Sequence, residues 1–343
     1  MQDFNREISI TRFFICIAII LIAAPLILLS FVIFIDPYNI SRDRSHARFN
    51  AMKLEIPSSA QIGTAILSSA LYQPDILILG SSRVRRGFNE VFASQLYGAK
   101  VQVTGINTLH LSTAKNIFRS VSKKTQLKKI YIEVNYFMAN DCGKADDPAF
   151  DSDYLVKLFS YFPPKNSILF SMKTLRINIL GPRAVDSYYD KQGRFHDLPS
   201  KVASLADAES YKSYQNNFFQ NMTKNCRRNP ENQADIAELT EIFKLAQSSH
   251  TEVVLLILPA SPRALARVRQ AEFTPTVDHW KKNVARLARQ FQATLIDYED
   301  RNDFPEPGET AANKMPLFWD ENHFSNRIGD RLLGEMRTSG RAQ

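Results

Sequence analysis

Ile76-Leu77-Ile78-Leu79, an unbroken aliphatic run between Asp75 and Gly80-Ser81-Ser82-Arg83, constrains this chain more than any other stretch. It shows no alternation of polar and apolar residues, so both faces of the predicted strand must be buried. That is the setting of a parallel sheet covered by helices on both sides. A parallel strand presents its polar residues at its C-terminal end, where glycine allows a sharp turn. Ser82 therefore stands where a hydroxyl can be held clear of the sheet to attack a carbonyl, or where a serine simply caps the next helix.

The flanking pattern extends this reading. Helical spacing over residues 58–72 leads into the strand, followed by a short helix at 89–96 and a strand at 101–103. A helix at 113–122 precedes a third strand at 129–134, which runs into Asn135. Later come a helix at 233–248, a strand at 252–258, a helix within 275–291, a strand at 294–297 and a helix at 326–336 with Ser325 as candidate N-cap. Alternating strands and helices predict an α/β domain over residues 58–343, built on a parallel sheet. Residues 136–232 break the rhythm and read as an insertion over the sheet's C-terminal edge. Its aromatic, turn-rich stretches, such as Phe159-Ser160-Tyr161-Phe162-Pro163-Pro164, either shape a substrate cap or decorate the surface.

Ahead of the domain, residues 13–35 form an apolar run of about 23 residues, enough for a helix across a hydrocarbon core of about 30 Å. Pro25 within the run is tolerated in a membrane helix. The run is too long for a signal-peptide core, and it ends in Asp36-Pro37-Tyr38 rather than a small-residue cleavage site. The expected layout is a tail at 1–12, an uncleaved transmembrane anchor at 13–35 and a juxtamembrane linker at 36–57. Arg6 and Arg12 precede the run while Arg42, Arg44, Arg48 and Lys53 follow it, so flanking charge does not orient it. The formal charge of +8 comes from scattered Lys and Arg. Without zinc-ligand spacing or a basic–aromatic RNA motif, neither a metal nor a nucleic-acid partner is expected; an anionic glycan or a membrane surface suits the charge.

Near the C-terminus, Asp320 lies three residues before His323 on a predicted loop between the last strand and the last helix. Such an aspartate can orient an imidazole through one nitrogen while the other faces a serine. The same spacing at Asp43 and His46 lacks that position in the fold. Gly80-Ser81-Ser82-Arg83 after the first strand, Glu133-Val134-Asn135 after the third, and Asp320 with His323 before the last helix together resemble the SGNH/GDSL hydrolase superfamily. The resemblance covers residues 75–336 apart from the insertion. The apolar run ending in Asp36-Pro37-Tyr38, together with the Gly-Ser-Ser form, is similar to the membrane-anchored branch that includes alginate O-acetylation and teichoic-acid D-alanylation proteins.

The resemblance implies a flavodoxin-like three-layer α/β fold and no cofactor. It implies a single pass through the cytoplasmic (inner) membrane, with the C-terminal domain outside the cytoplasm. The implied activity is a serine acyltransferase or esterase moving a small acyl group, foremost acetyl, on a cell-envelope glycan, supplied by a membrane acyl-donor partner. Ser82 would be the nucleophile, His323 the general base and Asp320 its orienter. Asn135 and the backbone N–H groups of Ser82 and Thr108 would hold the oxyanion. Two residues depart from the pattern: Glu133 stands where the family has glycine, and Thr108 where a glycine usually supplies an N–H. These departures leave open a catalytically inactive scaffold or a glycan-binding component of an envelope-polysaccharide complex. Arg83 is a candidate to bind an anionic substrate group or to pair with a carboxylate of the fold. Cys142 and Cys226 bracket the insertion, and in an oxidising compartment they either form a disulfide or remain two buried thiols.

Overall fold

In chain order the elements are α1 (Gln2–Ile35), β1 (Lys53–Leu54), α2 (Ser58–Tyr72), β2 (Ile76–Gly80), α3 (Ser82–Gly87), α4 (Glu90–Tyr97), β3 (Val101–Gly105), α5 (Leu111–Ser122) and β4 (Lys129–Glu133). They continue as α6 (Pro164–Leu180), β5 (Ser187–Tyr189), β6 (Phe195–Asp197), α7 (Gln233–Ser249), β7 (Glu252–Ile257), α8 (Pro262–Gln270), α9 (Thr274–Gln290), β8 (Thr294–Asp297) and α10 (Asn326–Ser339). This computed structural model describes residues 2–42, 49–107, 109–136, 162–182, 185, 187–197, 233–299, 317–319 and 322–339.

The aliphatic runs pair into one five-stranded sheet in the order β3-β2-β4-β7-β8, with every neighbouring pair parallel. The chain leaves β2 to one side to form β3, then crosses back to form β4 on the other. The C-terminal ends of β2 and β4 therefore flank the point where the winding reverses, which is where doubly wound sheets open a crevice. Side chains of β2 alternate between two cores. Leu77 and Leu79 pack with Phe118 of α5, Phe243 of α7 and Trp280 of α9 on one face. Ile76 and Ile78 pack with Val84 of α3, Ala93 of α4 and Leu332 of α10 on the other. All four aliphatic residues are buried, at about 1.5–3 kcal/mol of transfer free energy each. No solvated register of this strand competes with that.

The structure adds helix that the sequence reading did not include. α3 is Ser-Arg-Val-Arg-Arg-Gly, with Val84 its single aliphatic residue. α8 carries three arginines among nine residues and starts because the Ser261 hydroxyl accepts from Ala264 N–H at 3.2 Å, with proline in its first turn. α1 carries helix back to Gln2, through the expected tail. Its stretch Arg12–Ile35 is long and apolar enough to cross a membrane.

The segment expected as a linker at 36–57 is instead built into the domain. Lys53 and Leu54 pair antiparallel with Tyr189 and Tyr188, and β5 pairs with β6, giving a second, three-stranded sheet. The backbone turns at Asp36 with φ 46°, and the Asp36 carboxylate accepts N–H bonds from Ile40 at 2.7 Å and Ser41 at 3.0 Å. Lys53 is buried, and its ammonium donates to the carbonyls of Ile35 at 3.1 Å and Asp36 at 2.6 Å. These carbonyls end α1 and have no intrahelical donor, so the lysine acts as a C-terminal cap.

Candidate active site

β2 ends at Gly80, and α3 begins two residues later. Ser81 makes the turn: its hydroxyl accepts from Arg83 N–H at 3.1 Å, the N-cap geometry, and leaves Ser82 as the first helical residue. The turn is tight enough to require glycine, because a Cβ on Gly80 would stand 2.2 Å from Val84 Cγ2 and 2.6 Å from Glu133 Oε2. Ser82 is half-buried at the C-terminal edge of the sheet. Its own N–H lies in the first helical turn, where no intrahelical acceptor exists.

His323 arrives from the far end of the chain. Its loop is pinned by a bridge between Phe318 and Phe324, by Trp319 N–H donating to His323 O at 2.7 Å, and by Ser325 N–H donating to Leu317 O at 2.8 Å. Phe324 is fully buried, and its ring packs on Phe88 with centroids 5.7 Å apart. Next to it α10 meets α3 backbone to backbone, since a Cβ on Gly329 would stand 1.9 Å from Gly87 O. Asn326 rivets the contact by donating to Arg86 O at 3.2 Å and Gly87 O at 2.9 Å, while its own Oδ1 accepts from Phe195 N–H at 2.8 Å. Ser325 caps α10 through its carbonyl, which accepts from Ile328 and Gly329 at 3.1 Å; its hydroxyl has no partner among the described residues.

This docking brings Ser82 Oγ to 2.8 Å from His323 Nε2 across 241 residues of sequence. The distance is that of a nucleophile and its general base. Asn135 joins them at the sheet edge: β2 and β4 align Leu79 with Ile132, so Ser82 and Asn135 each lie three residues beyond a paired position. Asn135 is buried. Thr108, Asp320, Cys142 and Cys226 lie outside the described residues.

Of the two readings of Arg83, an anionic substrate group or a carboxylate of the fold, the structure shows the second: Arg83 faces inward. It is 3% exposed, donates to the carbonyl of Pro259, and holds Glu133 Oε1 at 3.6 Å. The other carboxylate oxygen of Glu133 accepts from Ser81 N–H at 2.7 Å. The glutamate that departs from the expected glycine is thus a buried post under the serine turn, and Arg83 is its counter-charge. The sequence flagged the Glu133 departure but offered no sign of this role. Asn326 and Gly329 were missed altogether, because their contacts span some 240 residues and no local pattern encodes them.

A second ion-pair group braces α3 from the side. Arg85 pairs with Glu55, Arg86 Nη2 lies 3.6 Å from the same carboxylate, and Ser187 Oγ donates to it at 3.0 Å. Burial alone would raise the Glu55 pKa, but the two guanidiniums and the hydroxyl outweigh it and hold the group below the ordinary carboxylate value. Past β8, burial holds Glu299 above its ordinary value although Lys281 Nζ sits 2.8 Å away. The β5–β6 hairpin reaches the same neighbourhood, with Arg86 over the Phe195 ring at 5.2 Å and Trp319 edge-on to that ring at 6.2 Å. Among the described residues, no group of three or more His, Cys, Asp or Glu could hold a metal ion. Comparison with protein-family models and with curated proteins returns no match.

Proposed function

We propose that this chain is a membrane-anchored serine acyltransferase of the SGNH/GDSL type, moving a small acyl group, foremost acetyl, onto or off a cell-envelope polysaccharide outside the cytoplasm. The observation that carries the chemistry is the 2.8 Å contact between Ser82 Oγ and His323 Nε2 at the C-terminal edge of a parallel sheet. In the proposed reaction His323 takes the hydroxyl proton as Ser82 Oγ attacks the ester carbonyl of a donor. The Ser82 N–H and the Asn135 amide stabilise the oxyanion, and Asp320 orients the imidazole. Collapse releases the donor alcohol, which takes the proton back from His323, and leaves an acyl-serine. An acceptor hydroxyl, from sugar or water, then repeats the sequence with His323 again as base, returning free Ser82.

One feature supports transfer over hydrolysis. The helix that can cross a membrane is joined to the domain without slack, through Asp36, Tyr38 and Lys53. An enzyme held there can receive acyl groups from a membrane donor partner and meet a nascent polymer. Glu133 speaks against the inactive-scaffold alternative, since it supports the serine turn from below and leaves the hydroxyl in contact with the histidine. The test is to supply the detergent-purified full chain with a chromogenic acetyl ester, with and without oligosaccharide acceptors, beside Ser82→Ala. Acetyl trapped on Ser82 and diverted to an acceptor is the expected result. Equal turnover by Ser82→Ala overturns the enzyme reading, and hydrolysis that no acceptor diverts makes the protein an esterase.

A further inference from the structure

Helix α6 is built the wrong way round for a helix facing water. Its inward face is mostly polar: Ser167, Ser171 and Thr174 are buried together with the aliphatic Ile177, and Asn178 is half-buried beside it. Ser167, Ser171 and Asn178 are bonded within the protein, whereas the buried Thr174 hydroxyl has no partner among the described residues. Ser171 Oγ donates to Ser167 O at 2.9 Å, and Asn178 exchanges two bonds with the Met52 backbone at 2.8 and 2.9 Å. The outward face carries Leu169, Met172, Ile179 and Leu180, which are 48%, 57%, 60% and 69% exposed. Lys165, Lys173 and Arg176 are interleaved with them and also exposed. A helix facing water shows the reverse arrangement, polar out and apolar in. Aliphatic residues mixed with long cationic ones on the outer face are what a helix lying in a lipid interface presents.

The position of α6 names the occupant. It packs against α1, and its first turn is fastened where the membrane-length stretch Arg12–Ile35 ends. There Tyr38, three residues past Ile35, bonds Ser167 Oγ at 3.2 Å and packs edge-on against Phe162 and at a tilt against Phe170, with centroids 4.7 and 5.1 Å away. Phe34 and Phe49, whose rings lie 5.7 Å apart, are also exposed near the end of α1. The small side chains between helix and domain let α6 lie close, while the cations stand where lipid phosphates would be.

We propose that the outer face of α6 contacts the bilayer surface beside α1, seating the domain against the membrane rather than leaving it tethered above. The proposal rests on α1 crossing that membrane, and it is independent of the acyl-transfer chemistry. The test uses the full chain with Cys16, Cys142 and Cys226 changed to serine, and single labels at Met172→Cys, Ile179→Cys, Leu21→Cys and Lys244→Cys. The protein is reconstituted in phosphatidylcholine–phosphatidylglycerol vesicles, and quenching by aqueous iodide is compared with quenching by lipid-borne nitroxide. Expected is loss of iodide quenching, with nitroxide quenching, at 172 and 179 as at 21, and the opposite at 244. Iodide quenching at 172 and 179 equal to that at 244, while 21 remains lipid-quenched, overturns the α6 surface and keeps the anchor. Iodide quenching at 21 as well removes the anchor and the proposal with it. Protection at 172 and 179 without nitroxide quenching assigns the face to a protein neighbour, which also overturns the lipid contact.

Discussion

The serine turn and the junction below α1 both bury full charges, yet they use them differently. At the junction the Lys53 ammonium and the Asp36 carboxylate bond the backbone itself: Lys53 donates to Ile35 and Asp36, and Asp36 accepts from Ile40 and Ser41. At the serine turn Glu133 and Arg83 face each other, and each also bonds one backbone group, Ser81 N–H and Pro259 O. The groups placed for chemistry, Ser82 and His323, are half-buried above that pair and bonded to one another. The difference teaches that the buried charges at both places hold backbone in position, while the groups proposed to react are the less buried Ser82 and His323.

Removing one of those two groups tests this most severely. Ser82→Ala is expected to cut acetyl-ester turnover by about a thousandfold or more, while the melting free energy stays within about 0.5 kcal/mol, as for other substitutions that leave packing intact. A parallel loss of stability would mean that the serine turn is itself scaffolding.

Next in size is Glu133→Gly, which restores the glycine of the family pattern. It is expected to destabilise by about 3–5 kcal/mol, because a buried carboxylate 3.6 Å from the buried Arg83 guanidinium is removed, and the loss is read by chemical denaturation. Turnover is expected to fall, since Ser81 N–H loses its acceptor. A variant that is both stable and more active would break the comparison.

Lys53→Met probes the junction. The Ile35 and Asp36 carbonyls lose the lysine as a donor, while Asp36 O keeps Asn39 N–H at 3.0 Å, at a cost of about 1–3 kcal/mol. Turnover of a small soluble ester should be unchanged, because Lys53 bonds the end of α1 and not the serine turn.

The smallest effect is expected at Asp330 on α10, a buried carboxylate oxygen with no hydrogen-bond partner among the described residues. Burial raises its pKa to about 6, only partly offset by Arg194. The native state therefore holds a proton that the unfolded chain releases near pH 4. Stability contributed by the protonated acid is present at low pH and lost as pH rises from about 4 through 6. Asp330→Asn should remove that slope and raise stability at pH 7.5 by on the order of 1 kcal/mol, visible as a flatter plot of melting temperature against pH.

What the sequence determined by itself was whatever short-range pattern encodes. Consecutive aliphatic residues at Ile76–Leu79 demanded a strand buried on both faces, and the apolar run before Asp36 demanded a helix of membrane length. The glycine–serine turn after the first strand marked Ser82, and the position of His323 before the last helix marked its partner. Tertiary structure decided the rest, because those contacts join residues with no local signal between them. It turned Arg83 inward onto Glu133, drew the 36–57 segment into a sheet with β5, and put the polar face of α6 against the domain. It also closed α10 onto α3, where Gly329 touches the Gly87 carbonyl and Gly87 touches the Phe324 ring because neither glycine has a Cβ. A side chain's neighbours across 240 residues depend on how every intervening element packs, and one-dimensional periodicity carries no record of that.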